Sequence, residues 1–218
     1  MKLLSPHKKT ASRADRGFTL IELLTSVAIF SVITTVAVFN NSRFNSSILL
    51  TNTAYEVALA IREAQSYGVN IKKTAGTVAG TGLQFQSGYG IHFVPNSGSF
   101  FLFEDVSSPP DNDPPNPDHV YNSSDRKVEV FSLRRGATIS KICVDNCVDP
   151  AEMFSPSDYL DITFLRPNPD AEIRKSGQPG TYPSAHICVK APDGSQRKIF
   201  VNTTGQISVI SGNASDCN

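Results

Sequence analysis

Glu22 is the residue whose placement most needs a chemical reason. It carries the one formal charge in residues 18–39 (FTLIELLTSVAIFSVITTVAVF), where 15 of 22 residues are apolar and neither Gly nor Pro occurs. A carboxylate near the end of a membrane helix costs something below the roughly 2.5–3.5 kcal/mol of a charge at the bilayer centre, so it needs a partner. Cleavage between Gly17 and Phe18 would create one, a new α-amino group four residues before Glu22 and one turn away on the same helix face. Carboxylate and ammonium, on one chain or on two neighbouring ones, would then pair in apolar surroundings. A pair made between chains would fix the stagger of one helix against the next.

The other chemically able residues point elsewhere than catalysis. Cys143, Cys147, Cys188 and Cys217 all lie downstream of the apolar block, and three residues separate the first two. That is not the two-residue spacing of a thiol oxidoreductase or zinc ribbon, and an even count in one part of the chain suits structural disulfides in an oxidising compartment. Three connectivities are open; Cys143–Cys147 with Cys188–Cys217 closes the most local loops. Residues 107–118 (SSPPDNDPPNPD) offer carboxylates at Asp111, Asp113 and Asp118. They lack the turn Gly and bidentate Glu of an EF-hand and read as an exposed, solvated loop. His7 falls before the apolar block, while His92, His119 and His186 read as packed or surface residues. The adjacent Glu104 and Asp105 lie on opposite strand faces, which suits a sheet edge better than acid–base work. With no Gly-x-Ser-x-Gly, His-Glu-x-x-His or phosphate-binding Gly loop, the expectation is no catalytic residue, no cofactor and no metal.

These residues sit in a chain of two regimes. At 218 residues, with 39% hydrophobic and 18% charged content, there is room for one domain and an appendage. Lys2, Lys8, Lys9, Arg13 and Arg16 face only Asp15 in residues 1–17, so a neutral chain overall has a mildly acidic remainder. An acidic body argues against a general nucleic-acid binder, and the pairs Lys72-Lys73, Arg134-Arg135, Arg174-Lys175 and Arg197-Lys198 read as solvated charges. Residues 18–39, at ~1.5 Å per residue, reach about 33 Å, enough to cross a bilayer core. Basic residues before the block and cysteines after it place the N-terminus in the cytoplasm and the remainder outside. The block is longer than a secretory h-region, and no small-x-small cleavage site follows it.

The run Arg16-Gly17-Phe18-Thr19-Leu20-Ile21-Glu22-Leu23-Leu24 resembles the N-terminal signal of type IV prepilins and type II secretion pseudopilins. The resemblance implies cleavage after Gly17 by a prepilin peptidase, methylation of the new N-terminus at Phe18, and a role for Glu22 in filament assembly. It implies as partners the prepilin peptidase, other pilin or pseudopilin subunits and the inner-membrane assembly platform. The localisation it implies is a single-pass inner membrane protein that later joins a pilus or pseudopilus.

Beyond the membrane block, Leu50, Ala54, Val57, Ile61 and Ala64 recur at helical spacing, and Gly68 reads as the stop of a helix over 18–67. The Asn- and Ser-rich run 40–47 is poor helix-forming sequence. After Gly68 the period becomes two, predicting strands at 89–94, 99–104, 127–133, 138–144, 159–165, 185–190, 196–202 and 206–210. Turns are expected at Asn96-Ser97-Gly98, Pro192-Asp193-Gly194 and Thr203-Thr204-Gly205. The predicted fold is α+β and pilin-like, a long N-terminal membrane-spanning helix packed against an antiparallel sheet meander. The divisions are a leader over 1–17, a membrane and filament-core helix over 18–39, its extracytoplasmic continuation over 40–68 and a β-rich head over 69–218.

Residues 59–68 (LAIREAQSYG) and 197–207 (RKIFVNTTGQI) are similar to a narrower group, the GspH/FimT-like minor pseudopilins. That similarity implies a minor structural subunit of a type IV pilus or a type II secretion pseudopilus. Some FimT-like members bind DNA through a C-terminal Gly-Arg-x-Arg, but Gly205-Gln206-Ile207-Ser208 has neither Arg. The alternative function is a filament-tip subunit that recognises DNA or a secreted substrate.

Overall fold

A computed structural model describes residues 17–70, 87–106 and 118–210, without the side chains of 39–46. Residues 1–16, the pair Lys72-Lys73, most of the Pro- and Asp-rich insertion with Asp111 and Asp113, and Cys217 lie outside the described residues. The chain divides into two compact units, Met1–Phe44 and Asn45–Asn218.

Helix α1 (Leu20–Val69) supplies the apolar block of the first unit and one layer of the second. The run 40–47 is helical throughout. Differences of at most ~0.7 kcal/mol per ordinary residue are a weak signal against the helices on either side. In the second unit the predicted stripe of Leu50, Ala54, Val57, Ile61 and Ala64 is fully buried, with Thr53, Ala60 and Gln65 beside it. Burial of each of the larger aliphatics contributes about 1.5–3 kcal/mol, which fixes the helix face that meets the sheets. Gly68 is not the helix stop. It lies inside the last turn, where an added Cβ would press on the backbone of Phe164, so its smallness admits a strand rather than ending a helix.

Two antiparallel sheets replace the expected single meander. The first has five strands in the order β3 (Arg126–Ser132), β2 (Ser99–Asp105), β1 (Gly88–Phe93), β5 (Leu160–Phe164) and β6 (Ala171–Lys175). The second runs β4 (Thr138–Val144), β7 (Ser184–Lys190), β8 (Gln196–Asn202) and β9 (Ile207–Ile210). All eight predicted strands are present. Strand β6 was not predicted, because AEIRK has only Ala171 and Ile173 facing inward and no run of β-branched residues to announce it. The turns at 96–98, 192–194 and 203–205 join β1–β2, β7–β8 and β8–β9.

Register assigns the first sheet two unlike faces. Tyr89, Ile91 and Phe93 line up with Leu102, Phe100, Phe164, Ile162 and Leu160 on the core side. On the opposite side His92 stands beside Phe101 and Asp161, and Gly90 beside Phe103 and Thr163. Residues 118–125 cover this second face, where the Tyr121 ring lies 5.2 Å from His92, 4.8 Å from Phe101 and 5.4 Å from Phe103. Strand β2 is therefore interior, and the sheet-edge reading of Glu104 and Asp105 fails. Both are buried, Glu104 against Arg126 and the Tyr89 hydroxyl, Asp105 under the covering segment.

The covering segment rests on a buried Asp–His hydrogen bond. Asp161 is fully buried; its Oδ1 lies 2.7 Å from His92 Nδ1 and its Oδ2 accepts the Tyr121 N–H at 3.0 Å. Burial raises the Asp161 carboxyl above its ordinary range, and the His92 hydrogen bond opposes that. Replacement of His92 by Phe keeps the ring between Phe101 and Tyr159 but leaves the carboxylate half-paired. His92→Phe is expected to cost about 1.5–3 kcal/mol in denaturant unfolding, the scale of a hydrogen bond to a buried carboxylate, and a second change, Asp161→Asn, to recover part of that loss.

His186 gives a second expectation, on pH. Its Nε2–H donates to the Asp145 carbonyl at 2.9 Å, its ring lies 5.1 Å from Phe200, and burial lowers its pKa below 6.5. The unfolded chain takes up this proton from about pH 6.5 and the folded chain only below that, so stability is lost as pH falls through this window. The difference between wild-type and His186→Gln unfolding curves should therefore shrink progressively from pH 7 to pH 5, the wild type losing more.

Candidate functional site

Three residues precede the first turn of α1 in non-helical conformation, and the bond between Gly17 and Phe18 lies among them. Both residues are exposed, Phe18 at 82%, and Gly17 has no neighbour within reach of an added Cβ. A peptide bond here is open to an enzyme in a way that one inside the helix ladder is not. In the uncut chain the helix begins at Leu20, so Phe18 precedes its first turn.

Thr19 is the reason the helix begins there. Its Oγ1 accepts the Glu22 N–H at 3.3 Å, its carbonyl accepts the Leu23 N–H at 3.2 Å, and its hydroxyl lies 3.5 Å from Glu22 Oε2. Thr19-Leu20-Ile21-Glu22 is thus a Thr-x-x-Glu helix start, a signal readable in the sequence and overlooked when Glu22 was considered only as a charge. Glu22 also stands in the first turn, where the helix dipole favours a carboxylate. It has a local role before any partner arrives.

Leu20–Val38 is long and apolar enough to cross a membrane, with a mean hydropathy of 2.1, and none of it is buried within the chain. Its hydroxyls are adapted to such surroundings. Ser26, Ser31, Thr34 and Thr35 each donate to the carbonyl four residues back, at 2.7–2.8 Å, and Thr25 donates to the Glu22 carbonyl at 3.0 Å. Every Ser and Thr of this segment is thereby satisfied inside the helix, as hydrocarbon surroundings require.

The remaining singled-out residues lie in the second unit. Cys143 and Cys147 form a disulfide that closes the turn after β4, and Cys188 is disulfide-bonded as well. Of the described basic pairs, Arg134 lies 3.8 Å from Glu56 and Arg174 lies 3.2 Å from Glu172. Arg197 reaches Ser47 at 3.4 Å. His119 bonds Thr163 at 3.1 Å, and burial lowers its pKa. The two segments that resemble minor pseudopilins meet directly, since Gln65 Nε2 donates to the Gly205 carbonyl at 3.1 Å and to that of Pro169 at 2.9 Å.

Loss of the cap is measurable apart from any assembly. Thr19→Ala should weaken the first turn by about 0.5–2 kcal/mol, speeding amide exchange at Ile21 and Glu22 in detergent micelles by roughly 2- to 30-fold while leaving the rest of α1 unchanged.

Among known proteins, no curated protein and no solved structure matches the chain. One family does, described as the prokaryotic N-terminal methylation motif, over residues 12–38. These residues include the exposed Gly17–Phe18 bond, the Thr19 cap, Glu22 and the whole apolar segment. Over residues 12–38 the chain therefore carries the prokaryotic N-terminal methylation motif, on a segment long and apolar enough to cross a membrane.

Proposed function

We propose that this chain is a minor structural subunit of a type IV filament system, a type IV pilus or a type II secretion pseudopilus, and has no catalytic role of its own. Prepilin peptidase cuts after Gly17 and methylates Phe18. The matured helix stays in the inner membrane with its head outside the cytoplasm until the assembly platform adds it to the filament. The carrying observation is the methylation motif over 12–38, which includes a helical stretch that no described residue of the chain covers. Such a surface is stable in lipid or against other helices like itself.

Glu22 is the assembly residue in this reading. Before cleavage its carboxylate faces the Thr19 hydroxyl in the first turn; after cleavage it meets an α-amino group, its own or that of a neighbouring subunit. An ion pair between chains fixes axial register because a slip leaves the carboxylate unpaired in apolar surroundings. The minor-subunit assignment draws on the similarity of residues 59–68 and 197–207 to minor pseudopilins and on their contact through Gln65 and Gly205.

Two measurements test this. Co-expressed with a prepilin peptidase, the membrane-extracted protein should have the intact mass of a chain starting at Phe18 plus one methyl group; an uncut chain would overturn the reading. In cells that assemble the filament, Glu22→Gln keeps an oxygen for the Thr19 contact but removes the charge. It should be cut normally yet fall at least about tenfold in sheared filaments, the loss expected for a missing buried charge pair. Wild-type incorporation would remove Glu22 from assembly.

A further inference from the structure

The segment that covers the second face of the five-stranded sheet gathers three carboxylates. Asp105 ends β2, Asp118 and Asp125 bracket the covering residues, and one oxygen from each lies within 4.8 Å of the other two. Most of their acceptors are held by fixed donors. Asp125 takes the Val106 N–H at 2.9 Å and the Asn122 N–H at 2.7 Å. Asp118 takes the Val120 N–H at 3.0 Å and the Asn122 side-chain amide at 2.9 Å. Asp105 Oδ2 takes the His119 N–H at 2.9 Å.

Asp105 Oδ1 breaks the pattern. Asp105 is 1% exposed, and this oxygen is buried with no hydrogen-bond partner among the described residues. A buried polar atom left unsatisfied is costly, and more so on an ionised group. The groups acting most strongly on Asp105 are two further carboxylates and two backbone N–H groups, so the cluster is braced in position without being neutralised. Burial, reinforced by Asp125 and Asp118, pushes its carboxyl up to about 7.

We propose that Asp105, Asp118 and Asp125 form a Ca²⁺ site, with Asp105 Oδ1 as the buried ligand. The donors are all hard oxygens, which select Ca²⁺ or Mg²⁺ over softer metals. Ligand number separates these two, because Mg²⁺ keeps several waters and is bound through one or two carboxylates, whereas Ca²⁺ accepts a larger set of protein oxygens in flexible geometry, as three gathered carboxylates offer. Such an ion would clamp the end of β2 to the residues leading into β3, holding the covering segment on the sheet. In the sequence Asp111, Asp113 and Asp118 offer carboxylates in what reads as a solvated loop; Asp118 belongs to this cluster, and its companions come from the strand end and the β3 approach, while Asp111 and Asp113 lie outside the described residues.

The full-length protein in detergent, stripped with EDTA and titrated with CaCl₂, provides the test. Its unfolding temperature should rise with a half-maximal response near 10⁻⁴–10⁻³ M, the range of extracellular Ca²⁺ modules, and MgCl₂ should give a clearly smaller rise. Asp118→Asn, at an exposed position, should unfold like the wild type in EDTA and need at least about tenfold more Ca²⁺, since it removes one ligand charge. Asp105→Asn should lose the response altogether while unfolding no earlier than the wild type in EDTA. If that variant fails to fold, Asp118→Asn decides alone. No shift and no binding heat up to about 10 mM CaCl₂, well above the affinity range of such sites, would overturn the proposal, as would an undiminished response in Asp118→Asn. An equal response to Mg²⁺ would overturn the assignment to Ca²⁺.

Discussion

An uncovered apolar helix is the constraint on which the rest of the chain depends. Leu20–Val38 is exposed on every side within its own chain, and water cannot be the medium for nineteen such residues. Its polar atoms are already consistent with a dry medium. Backbone groups are paired along the helix, and the five hydroxyls return to carbonyls one turn back rather than waiting for water. Only the first turn keeps groups that look outward, and there Thr19 and Glu22 provide for one another.

The later part of α1 obeys a different rule. From Leu50 onward one stripe is buried and the other faces are polar, so the helix serves as a layer over two sheets rather than as an anchor. Its end is fixed by more than apolar contact. Gln65 satisfies the carbonyls of Pro169 and Gly205, one between β5 and β6 and the other in the β8–β9 turn, and Gly68 lets Phe164 approach. Gly205 has φ +76°, and an added Cβ would also strike Gln65, so two independent restraints select glycine there. A single amide thus ties the helix to both sheets.

Much of this was legible in the sequence because it is local. The stripe from Leu50 to Ala64, the three hairpin turns and the eight predicted strands depend on periods of 3.6 or 2 and on turn residues, all carried by neighbours in the chain. The partition into two sheets was not legible. Inserting β5 and β6 beside β1 depends on pairings such as Tyr89 with Phe164, far apart in sequence, which no local period encodes. Gly68 misled for a related reason: a glycine near a helix end commonly marks a cap, and the strand that requires it is almost a hundred residues away. In the candidate site, Gly17, Phe18 and Glu22 were identifiable from type and spacing, whereas the part Thr19 plays was readable as a Thr-x-x-Glu helix start and missed.

The buried charges were the least legible feature, and their distribution follows from the sheet. A five-stranded sheet has two faces to cover, and α1 with the second sheet supplies apolar cover for one. The other is covered by 118–125, a segment too short and too polar to do so with aliphatic side chains. It does so with Tyr121, the only large ring in it, and with backbone N–H groups that need acceptors once they leave water. Asp161, Asp105 and Asp125 are those acceptors, taking N–H groups of Tyr121, His119 and Asn122. The carboxylates are therefore buried because an irregular segment has to be satisfied, and each then needs its own charge balanced. Asp161 has the His92 ring and Glu104 has Arg126, but among the described residues Asp105 has neither a cation nor a donor for its Oδ1. The same geometric demand that brings the carboxylates inward thus leaves them unequally matched.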